Sequence, residues 1–80
     1  MSREQTRETL FAILKEQFGD GAKDVNESST ANDVVGWDSL AHVMLLGTIE
    51  KTFNVKFDFD DIVSFDNVGA ILNCIVNKLN

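Results

Sequence analysis

Residues Val35–Leu45 read VGWDSLAHVML, and they join a long polar segment to an apolar helical pattern. Asp38 and Ser39 are residue types that commonly cap or begin helices. From there, apolar residues recur at helical spacing as far as Phe53. The stretch therefore predicts a helix that begins at Asp38 or Ser39 and ends near Phe53.

This predicted helix has two apolar stripes, although a surface helix in a small bundle needs only one. The stripe expected to face the core consists of Leu45, Leu46, Ile49 and Phe53. The second stripe consists of Leu40, Val43, Met44 and Gly47. If exposed, the second stripe would be a docking surface. The alternative is a central helix that is buried on both sides.

Upstream, a first helix is predicted from about Arg3 to Phe18. A capping box between Ser2 and Gln5 would begin it, and Gly19 and Gly21 would end it. Its apolar stripe consists of Leu10, Phe11, Leu14 and Phe18.

Residues 19–36 are mostly Gly, Asp, Asn, Ser and Thr. Such a long connection is uncommon in a compact domain and tends to be functional. We expect it to wrap around the bundle, with Val25, Val34 and Val35 as its contacts.

Downstream, a short helical turn is predicted near Asp58–Val63. A last helix is predicted from Val68 to about Leu79, with Asn67 as its N-cap. The alternation in VKFDF would suit a strand, but the chain offers no strand to pair with it. The phenylalanines expected in the core here are Phe57, Phe59 and Phe65.

The predicted fold is an all-α, small four-helix bundle with three longer helices, one short helix and a long first loop. We expect it to be a single domain spanning residues 1–80.

The composition excludes several function classes. Seven basic residues against thirteen acidic ones give a net charge of −6, which argues against nucleic-acid binding. The longest apolar runs, such as Val43–Leu46, are too short for membrane insertion. The charged N-terminus does not resemble a secretory signal, so a cytoplasmic location is expected. Cys74, the single cysteine, is interpreted as a small core residue.

Two catalytic or metal-binding interpretations also fail. Asp38, Ser39 and His42 are tempting as a triad, but adjacent helical residues point in different directions. The acidic stretch DFDDIVSFD lacks the ligand pattern of a calcium loop, so no metal site is expected. A serine at a helix start is suited to anion binding. On the tripeptide DSL alone, however, simple capping is the favoured interpretation.

The wider pattern changes that interpretation. The length, the acidic charge, the helix–loop–helix order and the stretches GWDSLAHVMLLGTIEKTF and NVKFDFDDIVSFDNVGAIL together resemble the acyl carrier protein family. This family includes the carrier domains of fatty acid, polyketide and nonribosomal peptide assembly. The resemblance covers essentially the whole chain.

The resemblance implies that Ser39 receives 4′-phosphopantetheine from coenzyme A through a separate phosphopantetheinyl transferase. The arm ends in a thiol, which carries acyl or aminoacyl groups as thioesters. The protein would then be a non-catalytic, monomeric carrier that serves acyl-loading and acyl-transferring enzymes. The residues expected to contact these partners are Trp37, Asp38, Leu40, Val43, Met44 and Glu50. His42 is expected on the same surface, and Trp37 could alternatively cover the loop.

The sequence also departs from the family. Carriers of primary fatty acid synthesis usually show several glutamates along this helix, whereas here Ala41, Met44, Lys51 and Thr52 occupy that face. This favours a specialised carrier with more apolar, less salt-sensitive docking. Gly47 is hypothesised to make room for cargo. An aminoacyl or peptidyl carrier, or an unmodified helical adaptor, remains an alternative.

Overall fold

The computed structural model describes all 80 residues, and its regular elements are all helical. Three longer helices and one short one form a bundle, which confirms the predicted fold class. Their bounds are α1, Arg3–Phe18; α2, Ser39–Phe53; α3, Phe59–Val63; and α4, Val68–Leu79. Two 3₁₀ turns lie in the first loop, at Gly19–Ala22 and Ala31–Asp33. None of these helices combines the length and the apolar content that a membrane span requires.

Local capping explains where the helices start. Ser2 accepts a hydrogen bond from the Gln5 N–H, and the Gln5 side chain accepts one from the Ser2 N–H, which confirms the predicted capping box. Asp38 and Asn67 cap α2 and α4 in a similar way, each accepting from the N–H three residues ahead. These contacts set the starts of the three longer helices at the predicted positions.

The ends of α1 and α2 follow a second local rule, in which a residue of positive φ turns the chain away. Gly19 ends α1 with φ +56°, and Asn54 ends α2 with φ +55°. Asparagine is one of the few residues besides glycine that tolerates this region.

The core is built from one face each of α1, α2 and α4. It contains Leu10, Leu14, Leu45, Ile49, Phe53, Val68, Ile71, Leu72 and Ile75. The short helix α3 contributes no fully buried residue. It therefore lies on the surface of the three-helix core.

The first loop is held by backbone contacts as well as by valines. Val34 is buried and Val25 is half-buried, but Val35 is 82% exposed, so the predicted contact by Val35 was wrong. At that position the backbone makes the close approach, since a Cβ on Gly21 would lie 2.5 Å from the Val35 carbonyl oxygen.

The same loop also covers the start of α4. The Val68 N–H donates to the Ser29 carbonyl (2.9 Å), and the Gly69 N–H donates to the Glu27 carbonyl (2.7 Å). These are N–H groups that a helix start leaves without an intrahelical partner. The loop thus supports α4, which in turn packs against α1.

Of the three phenylalanines expected in the core near α3, two are partly buried and one is exposed. Phe57 and Phe65 are partly buried and meet edge to face, with ring centroids 5.0 Å apart. Phe59 is 77% exposed, so its predicted core position was wrong. It is the first residue of α3, and α3 packs too shallowly to cover it.

Cys74 is only half-buried, at the edge of the core rather than within it. Its partial burial raises the pKa of the thiol above its ordinary value, and the nearby Asp61 carboxylate adds to the effect. A raised pKa disfavours the reactive thiolate.

Candidate functional site

Ser39 is the first residue of α2 and is exposed, and its hydroxyl makes no hydrogen bond within the chain. Asp38 is the N-cap instead: its Oδ1 accepts from the Ala41 N–H at 2.8 Å. Within the tripeptide DSL, Asp38 therefore caps the helix and Ser39 does not. The hydroxyl is free because its neighbour already serves the helix start.

The backbone around Ser39 favours an anion. The N–H groups of Ser39 and Leu40 have no acceptor in the structure, whereas those of Ala41 and His42 bond to Asp38. Free N–H groups at the positive end of the helix dipole stabilise a phosphate placed there. The site therefore fits a phosphodiester on the Ser39 oxygen.

Trp37 lies beneath this site, with only 9% of its surface exposed. Its ring stacks on Phe18 at a centroid distance of 5.4 Å and on His42 at 5.9 Å. Its indole N–H donates to His42 Nδ1 at 3.0 Å. The ring is packed between Phe18 of α1 and His42 of α2, which leaves little surface for the partner contact expected of Trp37, and the alternative role of covering the loop stays a prediction.

Sequence reasoning missed the bond between Trp37 and His42. The signal available was an indole donor five residues before the only histidine. That spacing alone does not predict contact, because Trp37 lies outside the helix. Its direction is set by packing against α1.

An open groove lies beside Ser39. Its volume is about 550 Å³, and its lining residues are Ala31, Trp37, Asp38, Ser39, His42, Val43 and Phe65. One wall comes from the start of α2 and another from the segment before α4. The groove gives a group attached to Ser39 a mixed polar and apolar surface to lie against.

The second apolar stripe of α2 is exposed. Leu40 is 71% exposed, Val43 68% and Met44 59%. The alternative of a helix buried on both sides was therefore wrong. Gly47 is also exposed, and an added Cβ would meet nothing within 4 Å. The structure does not support the hypothesis that Gly47 makes room for cargo inside the bundle.

Glu50, predicted as a partner contact, is turned toward its own chain. Its Oε2 accepts from the Phe57 N–H at 2.7 Å, and the side chain is half-buried. This bond ties the end of α2 to the segment before α3. The structure thus gives Glu50 an internal contact that the partner prediction did not anticipate.

The polar groups around Ser39 do not form a catalytic relay. His42 Nδ1 is bound to Trp37, and Asp38 Oδ1 is bound to the Ala41 N–H. No base is hydrogen-bonded to the Ser39 hydroxyl, as a nucleophile–base pair requires. The first turn is further held by Gln17 of α1, whose Nε2 donates to the Ala41 carbonyl at 2.9 Å.

Comparisons with known proteins bear on this site. A family model described as a phosphopantetheine attachment site matches residues 8–75. The acyl carrier protein of Thermotoga maritima is 35% identical, covering 98% of this chain and 96% of that protein. The acyl carrier protein of Cyanidium caldarium is 29% identical, covering 100% and 93%.

The comparison with solved structures points to the same family. The holo acyl carrier protein from Geobacter metallireducens superimposes with a TM-score of 0.83 at 30% identity, covering 92% of this chain and 85% of that one. The family match includes both the start of α2 and most of the helical core. The match also indicates a covalently attached phosphopantetheine as the prosthetic group. From this sequence similarity and the shared fold, the chain belongs to the acyl carrier protein family.

Proposed function

We propose that Ser39 carries 4′-phosphopantetheine and that the protein delivers acyl intermediates between the enzymes of fatty acid, polyketide or related biosynthesis. The observation that supports this most directly is the exposed, unbonded hydroxyl of Ser39 beside two free backbone N–H groups. Those groups would stabilise the negative charge of a phosphodiester. The arm supplies a terminal thiol on which acyl groups are held as thioesters.

The modification would take place in the active site of a separate phosphopantetheinyl transferase. The Ser39 oxygen forms a bond to the pantetheine-side phosphorus of coenzyme A as the pyrophosphate bond breaks. Adenosine 3′,5′-bisphosphate leaves, and a base of the transferase takes the hydroxyl proton. Ser39 needs that external base because no base of the chain is hydrogen-bonded to its hydroxyl, and the accepting nitrogen of His42 is already bonded to Trp37. The protein itself is thus a non-catalytic carrier.

Partner enzymes would dock on the exposed stripe beside the arm. Leu40 and Val43 lie within one turn of Ser39 and are mostly exposed. Asp38 flanks them at the N-cap. A buried core of apolar contacts with a polar rim is the usual anatomy of an interface. Docking here would depend on apolar contact more than on ion pairs.

We propose an acyl cargo because the similar proteins are acyl carrier proteins rather than aminoacyl carriers. The scarcity of acids on α2 supports a specialised pathway over primary fatty acid synthesis. Lys51 is exposed on the helix face where family members of that pathway usually carry glutamates. We further propose that residues 1–80 act as one monomeric, cytoplasmic carrier domain.

The test is an intact-mass measurement after incubation with coenzyme A and a broad-specificity phosphopantetheinyl transferase. Wild type should gain one phosphopantetheine and Ser39→Ala none. Ser64→Ala is the matched control, because Ser64 is also an exposed serine at a helix end, yet its hydroxyl already donates to the Asp61 carbonyl. That variant should be modified like wild type.

Modification of Ser39→Ala, or no modification of wild type by several transferases, would contradict the proposal and favour an unmodified adaptor. The holo protein should then be offered to acyl-loading enzymes and to amino-acid-activating enzymes in parallel. Loading only by the second class would replace the acyl assignment with an aminoacyl one.

A further inference from the structure

The hydrogen bond between Trp37 and His42 determines where the histidine carries its proton. An indole N–H can only donate, so His42 Nδ1, at 3.0 Å, must accept. A neutral imidazole has one N–H, which must then be on Nε2. The buried, stacked Trp37 therefore selects one of the two tautomers of His42.

The Nε2–H has no hydrogen-bond partner within the chain, and the half-buried ring lines the groove that also contains Ser39. His42 follows Ser39 by three residues on α2, a spacing that makes two side chains neighbours on one helix face. Helical side chains also lean toward the N-terminus, over the preceding turn. The free Nε2–H of His42 is therefore expected to lie on the surface next to the Ser39 oxygen.

We infer that His42 donates its Nε2–H to the phosphodiester on Ser39, and that Trp37 is the positioning residue that holds the imidazole in the required tautomer. The inference rests on the proposed function. It adds a side-chain donor to the two backbone N–H groups of Ser39 and Leu40. Hydrogen bonds to an ionised phosphate are stronger than bonds between neutral groups.

This hydrogen bond would orient the phosphodiester end of the phosphopantetheine along the groove. The backbone N–H groups point along the helix axis, so they stabilise an anion at the helix start but do not direct it toward any one face of the helix. His42 lies on the groove side, together with Val43 and Phe65. A bond from Nε2 would hold the phosphodiester toward that side, close to the exposed stripe.

Nuclear magnetic resonance of histidine-labelled protein tests the inference in two stages. In the unmodified protein at neutral pH, the ¹⁵N spectrum should show a protonated Nε2 and an unprotonated Nδ1. In the modified protein, the Nε2–H resonance should shift while Nδ1 stays an acceptor. An unmodified protein with the proton on Nδ1, or a modified one with an unchanged Nε2–H, would overturn the inference.

Variants separate the hydrogen bond from simple packing, and the ³¹P resonance of the phosphodiester is the readout. His42→Phe keeps the stacked ring but lacks the donor, so its ³¹P chemical shift should differ from that of wild type. His42→Gln restores a side-chain donor, so its ³¹P chemical shift should lie between those of His42→Phe and wild type. Ser64→Ala changes an exposed serine outside the groove, and its ³¹P chemical shift should match that of wild type.

Trp37→Phe keeps a stacked ring but cannot donate to Nδ1. In this variant the ¹⁵N spectrum should show a mixture of His42 tautomers, and circular dichroism should confirm the fold. If Trp37→Phe still showed only the Nε2–H tautomer, Trp37 would not be the residue that positions His42. Should Trp37→Phe fail to fold, the comparison of His42→Phe with His42→Gln still decides the role of His42.

Intact mass distinguishes the two levels of failure. If wild type gains no phosphopantetheine, the proposed function fails and this inference fails with it. If the mass gain is present but the Nε2–H and ³¹P resonances do not respond to His42, only this inference fails.

Discussion

The two apolar stripes of α2 have similar side chains and opposite surroundings. Leu45 is fully buried, whereas Leu40, five residues earlier on the same helix, is 71% exposed. Both are leucines, so residue type cannot explain the difference. Apolar character serves packing on one side of this helix and is available for recognition on the other.

The reason lies in what packs against α2. Leu45 and Ile49 belong to the cluster formed with Leu10, Leu14 and the apolar face of α4. No element covers Leu40 and Val43, because the first loop passes to the start of α4 instead. An exposed row of large apolar residues adds nothing to folding stability and is a common mark of an interaction site.

The largest predicted effect sets the two leucines directly against each other. Leu45→Ala should lower the free energy of unfolding by about 2–5 kcal/mol, because it leaves a cavity in a closed core. Leu40→Ala should change it by less than about 0.5 kcal/mol, since the side chain is mostly in water. Urea unfolding followed by circular dichroism measures both. Equal losses would mean that the two stripes do not differ in packing.

The second prediction reverses the ranking and uses function as the readout. Leu40→Ala and Val43→Ala should each lower the kcat/KM of the phosphopantetheinyl transferase about tenfold, which corresponds to about 1.4 kcal/mol and to a contact residue weaker than an interface hot spot. Thr52→Ala, an exposed change near the other end of α2, is the control and should behave like wild type. If both stripe variants gave the wild-type kcat/KM with every partner enzyme tested, the exposed stripe would not be a docking surface.

The same assay tests how docking depends on charge. Because the proposed contacts are apolar, kcat/KM should fall only weakly as salt is added. A steep loss with salt would instead point to ion pairs made by the acidic residues around α3.

The third prediction concerns Gly47, the member of the exposed stripe without a side chain. Gly47→Ala should raise the free energy of unfolding by about 0.5–1 kcal/mol, because alanine is the better helix former. The new methyl group meets nothing within 4 Å. In contrast, Gly21→Ala should be destabilising by roughly 1–3 kcal/mol, because its Cβ would overlap the Val35 carbonyl oxygen. A destabilising Gly47→Ala would show that this face is covered.

The smallest effect concerns α3, which is held to α4 by polar contact. Lys78 Nζ lies 2.9 Å from Asp61 Oδ2, on the surface of the bundle. The hydrogen bond from Lys78 lowers the pKa of the Asp61 carboxyl, and the Asp58 backbone N–H lowers it further. A carboxyl with a lowered pKa contributes stability above its unfolded-state value, and the contribution disappears as the pH falls through the folded-state value.

Lys78→Met should therefore be slightly less stable than wild type at neutral pH, and the difference should shrink below about pH 4. Thermal unfolding across this range measures it. Lys56→Met, at an exposed lysine without a salt bridge, is the control and should show no such pH dependence. A difference between Lys78→Met and wild type that persists at low pH would mean that Lys78 acts through packing rather than charge.

The sequence by itself determined the helices and the place of Ser39 at the start of α2. The starts of α1, α2 and α4 and the end of α1 lie where the capping residues predicted them. Caps depend on hydrogen bonds across three or four residues, so they can be read from a short stretch. The inner stripes were predictable as well, because helical periodicity groups the residues that share a face.

Tertiary structure alone decided which apolar and polar groups are covered. Val35 and Phe59 were expected to be buried and are exposed, while Trp37 is buried against Phe18 and bonded to His42. Glu50 turned inward to the Phe57 N–H. Each of these outcomes depends on where a second element lies, and neither residue type nor local spacing contains that information.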